Sequence, residues 1–67
     1  MEYYRIRELR EDNDLSQREV AAKLNIAQRT YSGYESGSRN IPVQILAALA
    51  KLYGTTTDYL LNLTNEK

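Results

Sequence analysis

Gln28, Arg29 and Ser32 place an amide, a guanidinium and a hydroxyl within about one helical turn. None is a nucleophile with a base beside it. Gln can donate and accept side by side, the pattern that pairs with N6 and N7 of adenine. Arg presents a fork that fits O6 and N7 of guanine. Ser can bond to either type of base pair. A second group, Gln17, Arg18, Ser38, Arg39 and Asn40, is rich in donors suited to an anion such as phosphate. The chemistry on offer is recognition by hydrogen bonds, and the elements that carry these residues must hold both groups toward one ligand.

Composition narrows the classes. The 67 residues suffice for one domain and include no cysteine and no histidine. A disulfide, a thiolate metal site and the commonest general base are therefore absent. So short a chain has little volume to wall off a substrate pocket. The expectation is a non-enzyme with no cofactor and no metal. No apolar run approaches a membrane span, and the opening "MEYYRIRELR" is charged and aromatic, unlike a signal sequence. The expected location is the cytoplasm, with no membrane partner.

Net charge is zero, nine basic against nine acidic residues. That balance argues against a sequence-blind basic coat but leaves room for a local patch. Residues 1–14 balance to −2, residues 15–45 to +2 and residues 46–67 to zero. The central third, which carries both donor groups, is the basic one.

Five helices are expected and no strand, because no segment alternates with period two for long. The first spans roughly 2–13, with Ile6, Leu9, Arg10 and Asn13 on one face. The second begins at "LSQREV", where Ser16 and Glu19 have capping-box spacing and Leu15 and Val20 staple spacing. Val20, Ala21 and Leu24 face inward, and Asn25, which tolerates a left-handed backbone, ends it. The third, roughly 27–36, puts Ala27, Thr30, Tyr31 and Tyr34 inward. Gln28, Arg29, Ser32, Gly33 and Ser36 lie opposite, and Gly37 stops it. After the loop "SRNIP", Pro42 suits the first turn of a fourth helix, about 42–53, striped with Leu46, Leu49, Ala50 and Tyr53 and widened by Ile45 and Leu52. Gly54 ends it. Thr56 or Thr57 caps a short fifth helix through "DYLLN", with Leu60 inward.

Only about three residues separate the second and third helices, the length of a helix-turn-helix connection. In such a unit the start of the second motif helix enters the major groove of DNA. Gln28, Arg29 and Ser32 would then read bases. Gly33 would leave the backbone free to approach the groove floor, at a cost of about 1 kcal/mol in helix propensity. The start of the second helix would face a phosphate, with Gln17 and Arg18 adding donors and Ser38, Arg39 and Asn40 forming a second clamp. Each polar residue taken alone reads as solvated surface; it is the combination that points to DNA.

Arg10 and Glu35 both fall on or beside inward faces, where an unpaired charge is costly. They are expected to pair, joining the first helix to the third; Arg10 could also reach a phosphate. Of six tyrosines, Tyr31, Tyr34 and Tyr53 follow core spacing, with hydroxyls at its boundary. Tyr3, Tyr4 and Tyr59 could cap the core or contribute to a dimer surface.

The motifs "LSQREVAAKL", "YESGSRNIP", "LAALAKLYG" and "DYLL", at these spacings, make the sequence similar to the phage repressor and Cro type of helix-turn-helix domain, the xenobiotic-response-element family of bacterial regulators. The resemblance covers nearly the whole chain. It implies an all-α, compact five-helix, lambda-repressor-like domain over residues 1–64, with a short tail at 65–67. It implies base contacts from Gln28, Arg29 and positions 32 and 33, and phosphate contacts from Gln17 and from Ser38, Arg39 and Asn40. An Arg10–Glu35 pair also occurs in some members. Three positions depart from the family's habit. Asn25 stands where Gly is common, Ala27 where Ser or Thr caps the third helix, and Gly33 where a long polar residue supplies a base contact.

The chain stops soon after the fifth helix, as do the short Cro-like regulators. A single module covers limited DNA, on the order of 600–1,000 Å². A homodimer on an inverted repeat is therefore expected, paired through the fifth helix and the tail. The resulting expectation is a sequence-specific double-stranded DNA-binding regulator that acts as a repressor. Alternatives are the antitoxin of a toxin–antitoxin pair, or a protein-interaction module that kept the fold and lost DNA binding.

Overall fold

The computed structural model describes residues 4–61. Five helices follow in order: α1 (Tyr4–Asp12), α2 (Gln17–Leu24), α3 (Gln28–Ser36), α4 (Val43–Tyr53) and α5 (Thr57–Leu60). Among the described residues there is no strand. The expected first two residues of α1, Tyr3, the domain limit at residue 64 and the tail lie outside them.

Each helix delivers a narrow apolar stripe to one core. Ile6 and Leu9 come from α1, Val20 and Ala21 from α2, and Tyr31 and Tyr34 from α3. Leu46, Leu49 and Ala50 come from α4, and Leu60 from α5. Leu15, Leu24, Ile26, Ile41, Ile45 and Tyr53 pack around its edge. Full burial of an apolar side chain is worth about 1.5–3 kcal/mol, so a stripe from every helix is needed to hold a domain this small. Among the described residues no helix is long and apolar enough to cross a membrane.

The turns follow local chemistry. α1 ends where Asp14 takes a left-handed φ of 55°. Leu15 N–H then donates back to Arg10 carbonyl at 3.0 Å, which turns Leu15 onto the core. Gly54, at φ 65°, ends α4. Thr56 caps α5, its hydroxyl accepting from Tyr59 N–H at 3.1 Å. Arg5 stitches the first helix to the last. Its guanidinium lies 4.2 Å above the Tyr59 ring and donates to the Tyr59 carbonyl at 2.9 Å.

Four expectations change at or near helix ends. Ala27 and Pro42 are N-caps in extended backbone, not first-turn residues. Ala27 is therefore exposed instead of inward, because a helical repeat does not govern a residue outside the helix. Asn13 is exposed too; its amide donates to the Leu9 carbonyl at 2.7 Å and closes α1. Leu52, expected to widen the α4 stripe, stays 36% exposed.

Candidate nucleic-acid interface

The α2–turn–α3 unit is held by local bonds that can be traced residue by residue. At the start of α2, Ser16 Oγ accepts from Glu19 N–H and Glu19 Oε1 accepts from Ser16 N–H, both at 3.0 Å. The bond from Ser16 N–H is the leading cause that holds the Glu19 carboxyl below its ordinary range. At the end of α2, Asn25 adopts φ 61° and ψ 41°. Ile26 N–H then reaches the Ala21 carbonyl at 3.0 Å, the six-to-one bond of a left-handed helix stop. One residue later Ala27 begins α3. The turn is thus Asn25, Ile26 and Ala27, and Ile26 is half-buried against the core.

α3 has no side-chain cap. Thr30 and Tyr31 N–H both donate to the Ala27 carbonyl at 3.1 Å. By their place in the first turn, the amides of Gln28 and Arg29 have no helical acceptor. Gln28 and Arg29 side chains are exposed, and among the described residues neither makes a hydrogen bond or ion pair. Orphan amides and unpartnered donor side chains therefore share one helix end. The helix dipole adds a partial positive charge there.

The opposite face of α3 is anchored. Tyr31 is fully buried and Tyr34 is 6% exposed. Glu35 accepts from Arg10 twice, from Nε at 2.7 Å and from Nη2 at 3.2 Å. Arg10 Nη1 donates to the Leu15 carbonyl at 2.8 Å. The two charged side chains are only 13% and 5% exposed, so each needs the other. The Glu35 hydrogen bond is the main cause that raises the Arg10 guanidinium. Burial pushes the Glu35 carboxyl up, but hydrogen bonding led by Arg10 outweighs it and holds the group below its ordinary value. Nearby, burial raises the Tyr31 and Tyr53 phenols, which face this carboxylate and each other. Neither hydroxyl reaches hydrogen-bond geometry with a protein partner.

The second donor group is arranged less simply than its residue types suggest. Arg18, Arg39 and Asn40 are exposed. Gln17 is half-buried, and its Nε2 donates to Glu35 Oε1 at 3.1 Å. One of its two amide hydrogens is thereby used, and the second is left for an outside acceptor. Ser38 is exposed as well, but its hydroxyl donates to the Gly33 carbonyl at 3.4 Å and accepts from Ser36 Oγ at 3.2 Å. The single hydrogen of that hydroxyl is thereby directed at the backbone of α3. Ser32, of the first donor group, is half-buried.

Gly33 requires a correction. It is buried, not open to the outside. The Arg39 side chain covers it: a Cβ at Gly33 would lie 2.8 Å from Arg39 Cδ and 2.9 Å from Cγ. The helical repeat places Gly33 on the outer side but carries no information about a loop residue folding back over it. Among the described residues no cluster of three or more His, Cys, Asp or Glu side chains is grouped to hold a metal.

The helix-turn-helix family model matches residues 6–60. The uncharacterized HTH-type transcriptional regulator YobD of Bacillus subtilis is 40% identical over 62 residues, covering 92% of this chain and 55% of the relative. The HTH-type transcriptional regulator AnsR of the same organism is 44% identical over 63 residues, 94% of this chain and 54% of AnsR. The cryptic phage CTXphi transcriptional repressor RstR of Vibrio cholerae is 40% identical over 50 residues, 75% of this chain and 45% of RstR. The chain spans about half the length of the curated relatives it matches. With a tightly tied α2–turn–α3 unit and matches across nearly all of its length, this chain belongs to the Cro/C1-type helix-turn-helix family of transcriptional regulators.

Proposed function

We propose that this chain binds double-stranded DNA in a sequence-specific way and regulates transcription as a repressor, with α3 in the major groove. The observation that carries the reading is the start of α3: uncapped amides together with exposed, unpartnered Gln28 and Arg29. Gln28, Arg29 and Ser32 read base edges. Gln17 through its remaining amide hydrogen, Arg18, Arg39, Asn40 and the N-terminus of α2 hold phosphates. The Ser38 hydroxyl bonds phosphate only by leaving the Gly33 carbonyl, so its part is the weakest of the set. The role is binding without catalysis, exercised in the cytoplasm.

The functional unit on this reading is a homodimer on an inverted repeat, with the two α3 helices about 34 Å apart. Support comes from the small area that one module can cover on DNA. Salt-titrated binding to duplexes combined with sedimentation tests both parts. Affinity should fall steeply with salt, and two chains should sediment on each operator. Binding that ignores salt would contradict phosphate contact; a single chain on every duplex would contradict the dimer.

A further inference from the structure

Gly33 is buried beside exposed Arg29 and half-buried Ser32. Its cover is the Arg39 stem, with Cδ and Cγ 2.8 and 2.9 Å from where a Cβ would stand and Ser38 Oγ at 3.2 Å. The backbone is tied at the same residue. Arg39 N–H donates to the Gly33 carbonyl at 3.1 Å. Ser36 Oγ lies 3.2 Å and Ser38 Oγ 3.4 Å from that oxygen. The loop after α3 is therefore laid down on the helix at one glycine. Beyond Cδ, the Arg39 guanidinium makes no ion pair or side-chain hydrogen bond among the described residues.

We propose that Gly33 is a positioning residue for Arg39. Its missing side chain forms a seat for the Arg39 stem and holds the guanidinium along the outer side of α3, one turn beyond Arg29, for a DNA phosphate. A stem already laid against the helix loses less rotamer freedom when the guanidinium engages an anion. Position 33 thus acts on affinity through Arg39 without touching DNA. The proposal rests on the DNA-binding reading above. It differs from a direct approach of the Gly33 backbone to the groove, which would make an added methyl group harmful whatever stands at position 39.

The test uses the full chain as wild type, Gly33→Ala, Arg39→Ala and the double variant, titrated with a duplex over a series of salt concentrations. Gly33→Ala should weaken binding about three- to tenfold and lower the salt slope by about one, and Arg39→Ala should do the same. In the Arg39→Ala background, Gly33→Ala should change neither quantity. No loss when Arg39 is present would overturn the proposal. So would an equal loss in both backgrounds, which would mean direct approach of position 33 to DNA. Thermal melting keeps folding separate. Ala favours a helix interior over Gly, so Gly33→Ala should melt no lower than wild type once Arg39 moves aside. If it melts lower, Arg39→Ala must restore the transition, and failure to do so also overturns the seat. A wild type with no salt-dependent binding would instead overturn the DNA reading, and with it the seat's function.

Discussion

The starts of α2 and α3 are built in opposite ways. At α2, Ser16 and Glu19 satisfy each other's backbone amides, and Gln17 is drawn onto Glu35. At α3, Ala27 offers no side-chain acceptor, and Gln28 and Arg29 point outward without partners. One end is tied by a capping box, which fixes the unit and leaves the Gln17 and Arg18 amides for a ligand; the other has no side-chain cap at all and exposes unpartnered side-chain donors as well. A binding domain needs both. The ordered end keeps the open one from wandering, and the open end keeps its hydrogen-bonding capacity for a ligand.

Substitutions at the anchored side should change stability most. Glu35→Ala leaves the Arg10 side chain, 13% exposed, with the Leu15 carbonyl but no counter-charge, and should cost about 3 kcal/mol in urea unfolding. Acid sharpens the same point. Glu35 is held below its ordinary value of 4.5 in the fold, so the native state binds fewer protons than the unfolded chain. Its stabilisation is fully present above that value and is lost as pH falls through the lower, folded one. Glu19, also held low, acts in the same direction. Glu35→Gln should flatten the acid-side decline measured by pH-dependent melting; an unchanged decline would show that the pair does not govern it.

The open end should behave in reverse. Arg29→Ala or Gln28→Ala should cost about 1–3 kcal/mol of affinity for the best operator and relax base preference. Neither should move stability by more than about 0.5 kcal/mol, since each is an exposed residue without partners. Joint titration and unfolding would expose a mistake if stability fell with affinity. At the capped end, Ser16→Ala should cost about 1 kcal/mol of stability in urea unfolding. The smallest effect is expected from Ala27→Ser, which should gain about 0.5 kcal/mol in thermal melting by supplying the missing cap. No gain there would mean that the start of α3 is not short of an acceptor.

Much of this arrangement is legible in local sequence, because local physics sets it. Capping-box spacing at Ser16 and Glu19, the left-handed tolerance of Asn25 and the apolar stripes of α1, α2 and α4 depend on residues a few positions apart. The Arg10–Glu35 contact is also accessible, since two charges on inward faces need each other. What periodicity misses comes from chain reversal. Arg39 reaches Gly33 only after the loop folds back, so a glycine on the outer side of a helical projection is in fact covered. Gln17 meets Glu35 across eighteen positions of sequence. The Ser38 hydroxyl turns back to the Gly33 carbonyl of α3, and residue type alone does not show which oxygen it will find.

On this reading the uncapped start of α3 is what reads DNA. Selection of bound sequences from a random duplex library at near-physiological salt, with wild type and the Gln28→Ala/Arg29→Ala double variant side by side, tests it most directly. An inverted repeat enriched by the wild type and lost in the variant is the predicted result. The same enriched sequence from both proteins, or none from either, would contradict it.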